Sequence, residues 1–150
     1  MAHDRGGVRA RHLARELLVK ALYQWQLAGH SVPEIARQFA ELEDFARCDR
    51  VFFAELLAQV VDDAEELDAL IARQATRGLD HLDAVGRAIL LLGLAELKFR
   101  RDVPSKVVIN EGVELAKRYG ATDSYKFVNA MLDKMSRELR DGAAQPKSAS

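Results

Sequence analysis

The chain has 150 residues, a formal net charge of −1 and one cysteine, Cys48. This length fits a single domain with a substantial hydrophobic core. A lone cysteine excludes an intramolecular disulfide and a zinc site made of cysteine pairs. The longest apolar run, from Ala88 to Ala95, is far shorter than the roughly 20 residues needed to cross a bilayer. Because the N-terminus also lacks the apolar core of a signal peptide, we expect a cytoplasmic protein that does not enter a membrane.

The charges are segregated along the chain, although they nearly cancel in total. The first twenty residues are basic, an acidic stretch lies between residues 55 and 68, and a second basic stretch lies between residues 98 and 118. Such segregation indicates two kinds of partner surface. It is equally compatible with ordinary solvated helix faces, because charge patches are common on protein surfaces.

The sequence begins with a polar, basic segment that leads into a helical pattern. We expect residues 1–8 to form a flexible basic arm. The first helix is predicted from about Val8 to Ala28, where Gly29 ends it. One face of this helix is apolar at helical spacing. Its members are Ala14, Leu17, Leu18, Ala21, Leu22 and Trp25.

A capping box marks the second helix. Ser31 and Glu34 have the required spacing, and Pro33 lies in the first turn, where a missing N–H costs little. The pattern predicts a short helix. Its inward residues would be Ile35, Phe39 and Leu42.

A longer helical pattern follows, and the side chain of Asp49 can cap its start. The pattern extends to Gly78, with a break predicted near the acidic pair Asp62–Asp63. Its apolar positions recur at helical spacing, which indicates one buried face. They are Phe52, Leu56, Leu57, Val60, Val61, Leu67, Leu70 and Ile71.

Three further helices are predicted in the second half of the chain. Asp83 opens a helix whose centre, AILLLGLA, is apolar on all sides, as expected for a helix surrounded by others. Pro104 begins the next helix, which ends at Gly120. The last helix runs from about Thr122–Asp123 to Arg140. Its inward stripe is Val128, Met131, Leu132, Met135 and Leu139.

The predicted fold class is therefore all-α, a compact bundle of about six to seven helices. Residues 9–140 would form the helical domain. The tail, residues 141–150, has little to bury, and we expect it to be disordered.

No motif for catalysis is present. The four histidines are scattered without a partner at metal-ligand spacing, and no glycine-rich phosphate loop or nucleophile motif occurs. The acidic pairs Asp62–Asp63 and Glu65–Glu66 are more typical of solvated surface than of acid/base groups, because no pocket is indicated that would shift their pKa values. We expect a protein that is not an enzyme and binds neither cofactor nor metal.

Helix one carries a candidate binding face. Arg9, Arg11 and Arg15 could hold a polyanion, because each cation that neutralises a phosphate releases counterions. The alternative is that they only keep a helix edge soluble. A helical wheel puts Tyr23 opposite the apolar stripe, beside Val19. This side is either a partner surface or is covered by a neighbouring helix.

The start of the last helix carries a second candidate face. Phe127 lies off the inward stripe beside Lys126 and near Asn129. An exposed ring can stack on an unpaired base, and polar side chains can read base edges. Packing of Phe127 against another helix is the alternative. Asp123 is either only the N-cap of this helix, or it also faces a bound RNA. In the second case its charge would repel phosphate and lower the affinity for RNA.

Several short motifs occur along the chain. They are VP-x-K-x-x-INE-x-V-E-L-A-K at Val103–Lys117, D-S-x-K-F-V-N at Asp123–Asn129, LDK at Leu132–Lys134, A-L-Y-x-W-Q at Ala21–Gln26, R-A-I-L at Arg87–Leu90 and E-L at Glu96–Leu97. Together these motifs resemble the NusB family. The resemblance runs from about Arg9 to Leu139, which makes it more specific than any one motif.

The resemblance implies an all-α fold of two packed helical subdomains and a non-catalytic role in transcription antitermination. Family members pair with NusE, a small-subunit ribosomal protein. The pair binds single-stranded boxA RNA of ribosomal RNA operons and nucleates an antitermination complex on RNA polymerase. By motif position, the RNA side would hold Arg9, Arg11, Arg15, Tyr23, Asp123, Lys126, Phe127 and Asn129. The partner surface would hold Tyr23, Gly86 and Arg87.

Some positions depart from the family pattern. Gly86 stands where many members have an acid, and Tyr125 replaces a frequent His. Leu91 and Ala95 replace a frequent Arg and a frequent Tyr. If the acid at position 86 helps to bind NusE, this chain lacks that contact.

Two other classes of function remain open at this point. A NusB-like domain also precedes the catalytic part of a family of ribosomal RNA methyltransferases, although this chain has no room for a methyl-donor-binding sheet. A helical protein–protein scaffold without RNA binding is the main alternative. The face with Val19 and Tyr23 could equally be a homodimer contact.

Overall fold

The computed structural model describes the backbone of residues 2–75 and 82–141 and the side chains from residue 7 onward. The predicted helix end at Gly78 lies outside these residues, as does nearly all of the tail predicted to be disordered. Within them the chain is helical and contains no strand, which confirms the all-α prediction. The described α-helices are α1 Ala2–Ala28, α2 Val32–Ala40, α3 Arg50–Asp62, α4 Ala64–Gln74, α5 Ala84–Phe99, α6 Ser105–Tyr119 and α7 Ser124–Ser136.

Two short helical elements lie beside these α-helices in the described part of the chain. A 3₁₀ helix, Glu43–Arg47, lies between α2 and α3. A π-helical turn, Arg137–Asp141, extends α7. The turn carries the chain through Arg140, the predicted end of the last helix. The break predicted near Asp62–Asp63 is confirmed, because α3 ends at Asp62 and α4 starts at Ala64.

The predicted start of the first helix near Val8 is wrong, because α1 begins at Ala2. The segment contains two glycines, each costing about 1 kcal/mol in a helix, but no proline. Extending an existing helix adds a hydrogen bond for each residue fixed and needs no new nucleus. The flexibility expected of residues 1–8 stays a prediction.

The chain divides into two compact units, Met1–Asp63 and Ala64–Ser150. In the first unit α1 packs against α3, α2 and the 3₁₀ helix. Aromatic rings fill part of this core: Phe53 stacks on Phe39 at 5.7 Å and meets Phe45 edge to face at 5.4 Å. The inward stripe predicted for α1 is largely confirmed, since Leu18 and Leu22 are fully buried.

The capping predictions in the first unit are confirmed. Glu34 N–H donates to Ser31 Oγ at 3.3 Å, and Ser31 N–H donates to Glu34 Oε1 at 2.9 Å. The latter bond and the Ser31 hydroxyl hold the pKa of Glu34 below its usual value. Phe52 N–H donates to Asp49 Oδ1 at 3.0 Å, which caps α3. Leu42, predicted to point inward, is instead 44% exposed, because α2 ends at Ala40 and Leu42 does not continue its buried face.

In the second unit α5 contacts α4, α6 and α7. Its residues from Ala88 to Leu97 are all buried, which confirms that the apolar run is a helix surrounded by others. α6 and α7 share the most extensive contact between two helices of this unit. The inward stripe of α7 is buried at its first four predicted positions, and Leu139 is half-buried.

None of the described helices combines the length and apolar character of a bilayer-crossing segment. Among the same residues, no three histidine, cysteine or acidic side chains are gathered in a way that could hold a metal ion.

Candidate nucleic-acid interface

The three arginines of α1 lie in different environments. Arg9 is exposed, Arg11 keeps 31% of its side chain exposed, and Arg15 is only 3% exposed. Residues four apart share a helix face, whereas residues two apart do not. Arg11 and Arg15 therefore lie together on the side that meets α3, and Arg9 lies on another side.

Arg15 was predicted to lie on the RNA side, but its side chain is buried and does not face solvent. Its guanidinium Cζ lies 5.0 Å from the centroid of the Phe52 ring. Residues on the edge of an apolar stripe become buried when a neighbouring helix is close, and here α3 supplies the covering ring. Arg15 is thus part of the α1–α3 packing.

Arg11 lies at the edge of the same contact. Its Cζ lies 4.7 Å from the Phe52 ring centroid, and its Nε–H donates to Asp49 Oδ2 at 3.4 Å. The Asp49 side chain is 28% exposed. Arg11 is therefore positioned by α3 while part of its side chain reaches solvent.

Tyr23 is 42% exposed, as the helical wheel predicted. Val19, on the same side of the helical wheel, is only 2% exposed. Of the two alternatives for this side, coverage by the rest of the protein therefore holds for Val19. Helix periodicity gives a direction, but it does not show whether a neighbour covers that direction. The exposed apolar surface near the end of α1 instead comprises Tyr23 and Leu27, which is 64% exposed and one turn further along.

The start of α7 has an unusual backbone. Asp123 occupies the N-cap position, as predicted, but with left-handed dihedral angles, φ 68° and ψ 1°, and no capping hydrogen bond from its side chain. Its carboxylate instead lies 3.8 Å from Lys126 Nζ, and both side chains are about two-thirds exposed. The acid therefore faces solvent beside a cation.

Lys126 and Asn129 are exposed and share one face of α7. Phe127 was expected to be exposed, but it is half-buried, so only part of its ring is available. The predicted set on α7 is therefore gathered within the first two turns, with Phe127 at its buried edge.

Sequence reasoning missed two cation–aromatic pairs at the turn between α6 and α7. Lys117 Nζ lies 5.0 Å from the Tyr125 ring centroid, and Arg118 Cζ lies 5.5 Å from that of Tyr119. The available signal was the string KRY just before the turn. These pairs add two cations to the same end of the helices that carries Lys126.

The predicted partner residues on α5 lie in its first turn. Gly86 is buried, and its N–H donates to the capping Asp83 Oδ1 at 2.8 Å. A Cβ at this position would lie 2.8 Å from Leu82 Cδ1, so an acidic side chain there requires Leu82 to move. Arg87 Nε–H donates to Asp68 Oδ1 at 3.0 Å, which ties α5 to α4.

A protein-family model described as the NusB family matches residues 12–137. The chain belongs to the NusB family. The transcription antitermination protein NusB of Alcanivorax borkumensis is 49% identical over 138 residues, which is 92% of each protein. The NusB protein of Serratia proteamaculans is 48% identical over 131 residues, covering 87% of this chain and 95% of the relative. The family predicted from the motifs is confirmed.

Solved NusB structures share the fold. A structure of T. maritima NusB superposes with a TM-score of 0.76 at 31% identity, covering 85% of this chain and 91% of that one. A crystal structure of the antitermination factors NusB and NusE in complex with double-stranded RNA has a TM-score of 0.71 at 28% identity. It covers 86% of this chain and 97% of the matched chain.

Proposed function

We propose that this protein is a non-catalytic RNA-binding adaptor in transcription antitermination, which binds boxA RNA of ribosomal RNA operon leaders together with NusE. The observation that carries the proposal is the family match, which extends over both compact units. The relatives named above are transcription antitermination proteins, and one structural neighbour is held with NusE and RNA. Its site of action is the cytoplasm, on nascent RNA at RNA polymerase.

The RNA-facing side chains fall into two groups in this proposal. Arg9 and Arg11 on α1 supply phosphate contacts, and Tyr23 lies near the junction of RNA and protein. On α7, Lys126 supplies a further cation, while the partly exposed Phe127 and the exposed Asn129 are suited to stacking and to hydrogen bonds with a base. Arg15 is buried beside the same Phe52 ring as Arg11.

NusE is the proposed protein partner. Its proposed contacts are Tyr23 in the first unit and, in the second unit, Gly86 and Arg87 in the first turn of α5. Because Gly86 has no side chain and is buried, its contribution would come from the helix backbone. An RNA bridged by this protein and NusE would be bound more tightly than by either protein alone, because the first contact raises the effective concentration for the second. A homodimer through the exposed end of α1 is the competing use of Tyr23.

A titration of a short boxA-like single-stranded RNA, with and without the cognate NusE and at two salt concentrations, tests the proposal. A duplex of the same sequence belongs in the series, because the RNA of the structural neighbour is double-stranded. We expect weak binding alone, tighter binding with NusE and weaker binding in higher salt. Absence of binding in every condition would contradict the proposal and favour a protein-only scaffold.

A further inference from the structure

The N-terminus of α3 is fastened to α1 beside Arg11. Asp49 N–H donates to the Ala10 carbonyl oxygen at 2.9 Å, so the backbone before α3 touches the backbone of α1. The two oxygens of the Asp49 carboxylate then have different partners. Oδ1 accepts from Phe52 N–H at 3.0 Å and caps the helix, whereas Oδ2 accepts from Arg11 Nε–H at 3.4 Å.

The ring of Phe52 completes this arrangement. Phe52 is only 1% exposed, and the guanidinium groups of Arg11 and Arg15 both lie within 5.0 Å of its centroid. A cation near an aromatic face is attracted by the ring quadrupole, most strongly when it is partly desolvated. Arg11 is therefore held by a carboxylate and by a ring, and each interaction limits the rotamers of a long, otherwise mobile side chain.

We propose that Asp49 is a positioning residue for RNA binding, which holds the Arg11 guanidinium against Phe52 in the orientation that receives a phosphate. This inference rests on the proposed function, because it assumes that Arg11 faces RNA. A guanidinium already fixed by the protein loses less conformational entropy when it binds, and so contributes more to affinity.

The positioning role and simple electrostatics predict opposite changes in RNA affinity when Asp49 is replaced. Asp49 is negative, so at constant structure its removal reduces repulsion of the RNA and raises affinity. If Asp49 orients Arg11, its removal frees that arginine and lowers affinity. The direction of the change decides between the two.

The variant Asp49→Asn separates the effect of the helix cap from that of the bond to Arg11. Asparagine caps a helix about as well as aspartate, so the bond from Phe52 N–H is retained, while the partner of Arg11 becomes an amide without charge. We expect RNA affinity in the presence of NusE to fall about twofold to fivefold. Asp49→Ser, which also caps but carries no carboxylate, should have the same effect.

A double-mutant cycle with Arg11→Gln distinguishes positioning of Arg11 from a merely structural role of Asp49, because only positioning makes the effect of Asp49→Asn depend on Arg11. In the Arg11→Gln background, Asp49→Asn should cause no further loss of affinity. Asp44→Asn is the matched control, since Asp44 lies in the same unit but pairs with Arg47. Its RNA affinity should be unchanged or slightly higher. Thermal unfolding of each variant verifies that the fold is retained.

Two failures are distinguishable. If the unmodified protein binds no RNA with NusE, the proposed function fails, and the inference falls with it. If the unmodified protein binds but Asp49→Asn and Asp49→Ser bind equally well or more tightly, the positioning role is overturned and the proposed function stands. The positioning role is likewise overturned if Asp49→Asn lowers affinity equally in the Arg11→Gln background.

Discussion

Leu132 fills a space that two glycines leave open in the second unit. A Cβ built on Gly112 would lie 2.6 Å from Leu132 Cδ1, and one built on Gly93 would lie 2.7 Å from Leu132 Cδ2. Leu132 itself is fully buried. Leu132 of α7 is thus inserted between α5 and α6 where Gly93 and Gly112 have no Cβ. The missing Cβ atoms let the three helices approach closely.

The variant Gly112→Ala tests this packing. Alanine normally stabilises a helix by about 1 kcal/mol relative to glycine, but overpacking a core costs about 1–3 kcal/mol. We expect a net loss of stability, measured by chemical denaturation. Gly7→Ala is the control, because a Cβ there meets nothing within 4 Å, and it should be neutral or stabilising. A stable Gly112→Ala protein would show that Leu132 can move aside.

Asp123 shows how a single residue can combine backbone and charge effects. Its left-handed conformation is one that aspartate and asparagine adopt more readily than most residues. Its carboxylate is exposed beside Lys126. Asparagine can therefore replace Asp123 and remove its charge while the backbone conformation of the turn is kept.

We expect Asp123→Asn to bind boxA RNA about twofold to fivefold more tightly, because one repulsive charge is removed next to the proposed phosphate path. The measurement is RNA affinity in the presence of NusE. Asp133→Asn, further along α7, is the control for a general change in charge. An equal gain in both variants, or none in either, would argue against a local role of Asp123.

At the scale of elements, the π-helical turn after α7 closes on the end of α5. The Arg140 guanidinium donates to the carbonyl oxygens of Leu97 at 3.1 Å and Val103 at 2.6 Å. It also donates to the carbonyl oxygens of Glu96 and Arg100 and to Ser105 Oγ. The last carbonyls of a helix lack partners within it. Here one side chain bonds to two carbonyls in the last turn of α5, those of Glu96 and Leu97, and to two in the segment that follows α5. Burial lowers the pKa of this arginine.

Replacement of Arg140 by methionine keeps the apolar stem and removes these donors. We expect the free energy of unfolding to fall by about 1–3 kcal/mol, because buried carbonyls lose charged partners. Arg137→Met removes an ion pair with Asp133 whose arginine is 63% exposed. That control should change stability by less than about 0.5 kcal/mol. Equal effects in thermal or urea unfolding would contradict the capping role of Arg140.

Most element boundaries could be predicted because local chemistry sets them. The capping box at Ser31, the cap at Asp49 and the stop at Gly120 all depend on residues close in sequence, and all are observed. The start of α1 was wrong because no local signal ends a helix that is free to extend. The π-helical turn and its contacts were not predicted, since Arg140 bonds to groups about forty residues away.

For the whole molecule, a formal net charge of −1 gives no general attraction to RNA. Affinity must come from the local placement of cations, which salt screens. We expect Arg9→Gln to reduce the slope of log affinity against log salt by about 0.7–0.9, the effect of one lost phosphate contact. Arg37→Gln, an exposed arginine on α2, is the control. An unchanged slope for Arg9→Gln would remove Arg9 from the RNA surface.

By itself, the sequence determined the all-α class, the family, the central apolar helix and most helix ends. These follow from periodicity, caps and ordered motifs, which act over short stretches of chain. Only the tertiary structure decided that Arg15 and Val19 are buried, that Phe127 is half-buried and that Asp49 and Phe52 hold Arg11. The physical reason is that exposure and pairing depend on which distant segment covers a helix face, and helical spacing carries no information about that neighbour.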